Sequence, residues 1–193
     1  ERASAEREMN LIIEQPNALG GFLGVLREVD ETVLFFVLMG IQRIVWKRWS
    51  YLSAEEKSNV GGVVITLIVE KSHVLQKFSR SKLEQVLANV CVQSSTLDPV
   101  IQVLNQSDTN SYQSIAELKN NMEETFEKLR KTITGLSALR TVLDEALNMK
   151  DPRLTPGQQQ AVSNAASQMV VPAMDLACTV LNTSLSATTD IAN

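Results

Sequence analysis

The sequence predicts an all-α fold, arranged as an α-solenoid of antiparallel helical hairpins of the HEAT or armadillo kind. Apolar residues recur at spacings of three and four, as in Leu83, Val86 and Leu87, and this is the period of a helix. No stretch alternates apolar and polar residues for long enough to indicate a strand. Short links between helices favour antiparallel neighbours, and about four hairpins of roughly 40 residues each indicate a repeat array. A closed helical bundle is the alternative architecture.

Capping residues and prolines indicate where the helices begin. Ser53 with Glu56 forms an S-x-x-E capping box, in which two side chains satisfy free backbone N–H groups. Asp30 precedes a long apolar run, and Asp98 and Thr155 each precede a proline suited to a first helical turn. The predicted helices are residues 2–15, 17–29, 31–52, 54–71, 79–93, 99–106, 112–149 and 156–185, with a polar loop at 105–111, a candidate break at Gly135 and a bend at Pro172.

The stretch "TVLFFVLMGIQRIVWKRWSYL" begins like a membrane span and ends like a charged surface. Its most apolar part, residues 33–41, is far shorter than the ~20 residues that a bilayer requires. Arg43 and Lys47 would lie inside the hydrocarbon, which is costly. From Ile41 onward the stretch is amphipathic, with Trp49 and Leu52 on the apolar face. We therefore expect this stretch to pack inside a helical array, with Trp49 buried and no membrane insertion.

Composition and charge argue against several classes of function. The chain has 193 residues and a net charge of −4, so it has no basic excess for binding nucleic acid. Its two cysteines, Cys91 and Cys178, lie in apolar helical stretches and are expected to be buried, reduced thiols in an intracellular protein. A disulfide between them is the alternative.

Residues suited to catalysis or metal binding are sparse. His73 is the only histidine, so neither a metal cluster nor a Ser-His-Asp triad is easily built. The pairs Gly20–Gly21 and Gly61–Gly62 lack the spacing of phosphate loops and are expected to serve close helix packing. We predict that the chain is not an enzyme and that it uses no cofactor or metal.

Several segments resemble the N-terminal region of importin-β-type nuclear transport receptors, and within that family the exportins. The first is "RASAEREMNLIIEQP", with Arg2, Ala5, Glu6, Met9 and Pro16 at the positions of the family pattern. The second is "TVLFFVLMGIQRIVWKRWSYLSAEEK", in which Phe35, Phe36, Leu38, Ile41, Ile44, Trp49, Leu52 and Glu55 fit. The third is "FSRSKLEQVLANVC", in which Arg80, Lys82, Leu83, Val86 and Leu87 match, while Ser81 replaces the usual Asn and the usual Trp-Pro is absent. The later segment 136–181 resembles the following repeat, most closely that of the branch that exports profilin–actin.

The resemblance implies both a fold and partners. Residues 1–193 are then one N-terminal helical-repeat segment of a longer receptor, which also agrees with a chain that begins without Met. Such a receptor shuttles between nucleus and cytoplasm and binds Ran-GTP together with a protein cargo. The core of this region is expected to contain the motif residues Phe35, Phe36, Ile41, Trp49, Leu52, Lys82 and Leu83.

In that family the second helix of each hairpin contacts Ran. Polar residues on the fourth and sixth helices are therefore the candidate Ran contacts, namely Asn59, Thr66, Glu70, Gln102 and Gln106. A plain solvated helix face explains each of these residues equally well. Two other interpretations remain open, a helical-repeat scaffold unrelated to Ran and an amphipathic-helix protein that binds membranes.

Overall fold

The fold of the described residues is entirely helical. A computed structural model describes residues 2–26, 28–71, 74–105, 122–147 and 155–191, and no strand occurs in these ranges. The eight α-helices there are α1 (Arg2–Glu14), α2 (Ala18–Val25), α3 (Glu31–Arg48), α4 (Ala54–Lys71), α5 (Lys77–Ser94), α6 (Asp98–Asn105), α7 (Met122–Leu147) and α8 (Pro156–Ile191), and a 3₁₀ turn at Trp49–Tyr51 follows α3. The prediction of an all-α chain is confirmed.

Most predicted helix ends agree with the structure, and the capping signals explain why. The Asp30 side chain accepts a hydrogen bond from the Val33 N–H at 3.0 Å, so α3 begins where its cap indicates. Helix α4 has the predicted bounds. The start predicted for α7 and the loop at 105–111 lie largely outside the described residues.

The predicted break at Gly135 is wrong, because α7 continues through it. Helix α8 runs through Pro172 and ends at Ile191, beyond the predicted end at residue 185. A proline inside a helix removes one backbone hydrogen bond. Pro172 and Gln168, whose carbonyl loses its donor, are both exposed, so water can replace the missing partner.

Helix α5 is the centre of the core. It contacts α3, α4, α6, α7 and α8. From Leu83 to Val92 its residues are buried with the exception of Gln85, so this helix is enclosed on nearly all sides. This explains why its apolar residues do not form a single stripe.

Helices that are two positions apart in the chain contact each other. The contacts join α1 to α3, α2 to α4, α3 to α5, α4 to α6 and α5 to α7. The Arg48 guanidinium at the end of α3 donates to the carbonyls of Ile13 and Gln15 at 2.9 and 2.8 Å. These carbonyls lie at the C-terminus of α1, where a cation is electrostatically favoured.

Candidate protein-binding groove

A groove lies beside α4, where α5 ends and α6 begins. Its volume is about 630 Å³, within the usual size range of ligand pockets. Its lining is mixed in character and comprises Trp49, Lys57, Ser58, Gly61, Gly62, Ile65, Val90, Gln93, Ser94, Thr96, Asp98, Pro99 and Gln102. Such a surface has apolar area for contact and polar groups to orient a partner.

The first turns of α4 form one wall of the groove, and this helix begins at a capping box. The Ser53 N–H donates to Glu56 Oε2 at 2.8 Å, and the Glu56 N–H donates to Ser53 Oγ at 3.1 Å. Hydrogen bonds that the Ser53 backbone N–H and side chain make to the carboxylate lower the pKa of Glu56. One turn further on, the Lys57 ammonium lies 5.6 Å from the centre of the Trp49 ring, which places a cation and an aromatic face together at one end of the groove.

The opposite wall depends on how α5 ends. Ser95 adopts a left-handed conformation with φ 57°. The Thr96 N–H then donates to the Cys91 carbonyl at 3.1 Å and the Ser95 N–H to the Val92 carbonyl at 3.2 Å, the paired bonds of a Schellman motif. Asp98 N–H donates to Thr96 Oγ1 at 3.1 Å, so α6 begins after a tight reversal.

Gly61 and Gly62 line the groove and have no side chains to fill it. A Cβ atom added at Gly61 would lie 3.9 Å from Val90 Cγ1, an ordinary contact, whereas one added at Gly62 would have nothing within 4 Å. The sequence predicted close helix packing at both glycines. Gly61 has a neighbouring helix within contact distance, whereas Gly62 does not. The approach is closer at Gly40, where an added Cβ would lie 2.7 Å from Phe22 Cζ.

The candidate Ran contacts fall on α4 and α6, two helices that contact each other. Asn59, Thr66 and Glu70 are seven and four residues apart, so they share one face of α4. Asn59 and Glu70 are exposed, and the half-buried Thr66 donates its hydroxyl to the Gly62 carbonyl at 2.9 Å. Gln102 is exposed and lines the groove. Gln106 lies outside the described residues.

The motif residues that were expected in the core divide into two groups. Ile41, Leu52 and Leu83 are buried. Phe35 and Lys82 are half-buried, and Trp49 is half-buried at the edge of the core rather than inside it, because its ring also forms part of the groove.

Phe36 departs furthest from the expectation, since 53% of it is exposed. Its neighbours Phe35 and Val37 point toward α5 and the core, and a helix cannot turn three successive side chains to the same side.

The cysteines also differ from the prediction. Cys91 is buried and Cys178 is exposed, and both are free thiols. Burial raises the pKa of the Cys91 thiol to about 12, so this group stays protonated and unreactive near neutral pH. The expectation of two buried thiols is therefore wrong for Cys178.

Sequence reasoning did not predict the groove. Trp49 was expected to be buried and Asp98 to cap a helix, while Lys57 and Gln93 were not singled out at all. Lys57 and Trp49 are eight residues apart across a turn, and Gln93 and Asp98 lie on either side of another turn. No periodicity within one helix connects such residues.

Among the described residues, no group of His, Cys, Asp and Glu is arranged to hold a metal ion. The helices there also include none that is long and apolar enough to cross a membrane. Comparisons with models of protein families, with curated proteins and with solved structures find no match for this chain.

Proposed function

We propose that this chain is a segment of an exportin-like nuclear transport receptor that binds Ran in its GTP form and a protein cargo. The observation that carries the proposal is the set of family-pattern residues between Arg2 and Leu87. The buried members Ile41 and Leu83 support it, because they lie on α3 and α5, which contact each other directly. A receptor of this kind passes between nucleus and cytoplasm.

Contacts between helices two positions apart support the solenoid architecture within this proposal. In stacked helical hairpins, each helix packs against the corresponding helix of the next hairpin. Successive odd-numbered helices, from α1 to α7, contact each other, and so do successive even-numbered helices, from α2 to α6. These contacts follow that scheme. In such an array α2, α4 and α6 are the second helices of successive hairpins.

The exposed side chains of α4 and α6 are the proposed Ran-binding surface. Asn59 and Glu70 on α4 and Gln102 on α6 are exposed, and the groove of about 630 Å³ adjoins them. The receptor contributes no catalysis. Ran-GTP and cargo favour each other because each selects the same curvature of the array, and such coupling of two ligands is reciprocal.

The test is a calorimetric titration of the chain with Ran that carries a non-hydrolysable GTP analogue, beside Ran-GDP. We expect weak binding with a preference of at least about tenfold, or ~1.4 kcal/mol, for the GTP form. The variants Glu70→Arg and Gln102→Arg should each weaken binding several-fold. Gln168→Arg is the matched control, because Gln168 is exposed on α8, a helix that carries none of the proposed contacts.

The same titration with the full-length gene product and its cargo decides between the candidate functions. Equal affinity for the two nucleotide forms of Ran would refute the transport function. The mixed polar and apolar groove would then support the second candidate, a helical protein-binding scaffold unrelated to Ran.

A further inference from the structure

Helices α3 and α5 expose a second surface, which combines aromatic rings with basic groups. We call it the α3–α5 strip; it consists of Phe36, Arg43, Trp46 and Lys47 on α3 and of Phe78 and Lys82 on α5. Phe36 is 53% and Phe78 46% exposed. Phe35 lies between them, with its ring centroid 6.0 Å from that of Phe36 and 5.6 Å from that of Phe78, both edge-on.

Lys82 lies next to the aromatic end of the strip. Its ammonium is 5.8 Å from the centre of the Phe35 ring and donates to Gln42 Oε1 at 3.1 Å and Gln85 Oε1 at 2.8 Å. Burial lowers the pKa of Lys82, and the charge of Glu145 opposes this shift. The ammonium is therefore incompletely solvated and hydrogen-bonds to neutral amides, so an incoming carboxylate would stabilise its charge.

Gln42 connects Lys82 to a small pocket at the other end of the strip. This pocket has a volume of about 260 Å³ and is lined by Gln42, Arg43, Trp46, Lys47 and Glu145. The Arg43 guanidinium donates to Asn10 Oδ1 at 3.3 Å, again a neutral amide oxygen. The pocket thus offers an aromatic side chain and two cations beside one carboxylate.

The charge of this surface is opposite to that of the whole chain. Three cations, Arg43, Lys47 and Lys82, face one carboxylate, Glu145, which leaves an excess of two positive charges (3 − 1) on a chain with a net charge of −4. Glu31, at the start of α3, uses Oε1 to accept the Gln76 N–H at 2.6 Å, where it caps α5. A partner with carboxylates would complement this local excess.

We propose that the α3–α5 strip docks an amphipathic helix of another protein, whose apolar face is flanked by carboxylates. Phe36 and Trp46 would contact the apolar side chains, and Arg43, Lys47 and Lys82 the carboxylates. From Phe36 to Lys47 the strip follows α3 for 12 residues, a rise of about 16 Å, which corresponds to three turns of a partner helix. The proposal is independent of Ran binding, because the candidate Ran contacts lie on α4 and α6.

The probe is a fluorescein-labelled peptide of about 18 residues, or five helical turns. Leucines at helical spacing form its apolar face, and glutamates flank them. Fluorescence anisotropy should show that it binds the chain at low salt and more weakly at high salt. A matched peptide with lysine in place of every glutamate should bind at least about tenfold more weakly.

Variants of the strip separate this proposal from nonspecific attraction. Phe36→Ser and Lys47→Glu should each weaken binding of the glutamate peptide several-fold, and both residues are exposed, so folding should survive. Lys47→Glu should also improve binding of the lysine peptide. The control Arg130→Glu reverses an exposed cation on α7 that belongs neither to the strip nor to the groove, and it should have no effect. Far-ultraviolet circular dichroism checks the fold of each variant.

Three outcomes would overturn the proposal. The first is equal binding of the glutamate and lysine peptides. The second is an unchanged affinity in Phe36→Ser and Lys47→Glu. The third is binding of phosphatidylserine-containing vesicles with loss of the peptide, which would identify the strip as a membrane-binding surface instead.

Discussion

Ser95 shows how one backbone conformation can determine the position of two helices. Among the described residues it is the single non-glycine residue with positive φ, at 57°. This conformation costs a residue with a Cβ about 1–2 kcal/mol. The Schellman hydrogen bonds of Ser95 and Thr96 offset that cost, and they turn the chain so that α6 begins beside the groove.

We therefore expect Ser95→Gly to raise the free energy of unfolding by about 1 kcal/mol, because glycine adopts the left-handed region without steric cost. Urea titration measures the change. Ser81→Gly is the matched control, since Ser81 is exposed inside α5, where glycine should lower stability by about 0.5 kcal/mol. A loss of stability in Ser95→Gly would contradict the proposed strain.

Three polar residues of α5 are buried with side-chain atoms that have no hydrogen-bond partner among the described residues. Ser79 and Asn89 are fully buried, and their side-chain polar atoms have no hydrogen-bond partner among the described residues. Glu84 is also buried; its Oε2 accepts from the Thr141 hydroxyl at 3.3 Å, while Oε1 has no such partner. A buried polar group left without a partner costs about 1–3 kcal/mol. Sequence patterning did not predict their burial, because polar residues ordinarily mark the solvent face of a helix.

At the scale of single helices, the glycines inside α3 and α4 have different roles. In α3, Gly40 gives room to Phe22 of α2, since an added Cβ would lie 2.7 and 2.8 Å from two ring atoms. In α4, Gly62 is exposed and faces open space. The sequence shows two helical glycines in similar apolar runs, and only the packing distinguishes them.

Gly62→Ala should raise the free energy of unfolding by about 0.5–1 kcal/mol, because alanine is the better helix former and meets no neighbour. Gly40→Ala should lower it by about 1 kcal/mol, since displacement of the Phe22 ring outweighs the gain in propensity. Thermal and urea unfolding of the two variants give the comparison. Equal stabilisation in both would mean that Phe22 moves aside freely.

At the scale of the whole molecule, stability depends on α5, which contacts five other helices. Leu87 is fully buried in that helix, whereas Leu181 on α8 is 61% exposed. The same substitution at the two positions therefore measures how much the central position contributes.

We expect Leu87→Ala to cost about 2–5 kcal/mol, the usual range for a buried leucine. Leu181→Ala should change stability by less than about 0.5 kcal/mol. Denaturant titrations of both variants, with circular dichroism as the probe, test the difference. Similar costs at the two sites would contradict the central position of α5.

The sequence by itself determined the helices. The bounds of α4 and the start of α3 follow from Ser53, Glu56 and Asp30, because capping depends on residues a few positions apart. It also determined the burial of Ile41, Leu52 and Leu83, since helical spacing marks an apolar face.

Only the tertiary structure decided which helices meet and which side chains they leave exposed. Phe36 lies in an apolar run that was expected in the core, and Phe78 lies at the start of α5, yet 53% of Phe36 and 46% of Phe78 are exposed. The groove joins Trp49 to Gln102, and the α3–α5 strip joins Arg43 to Lys82, across distances in sequence that no periodicity spans. The physical reason is that caps and periodicity act within one helix, whereas a surface is formed by residues of several helices whose packing depends on the whole core.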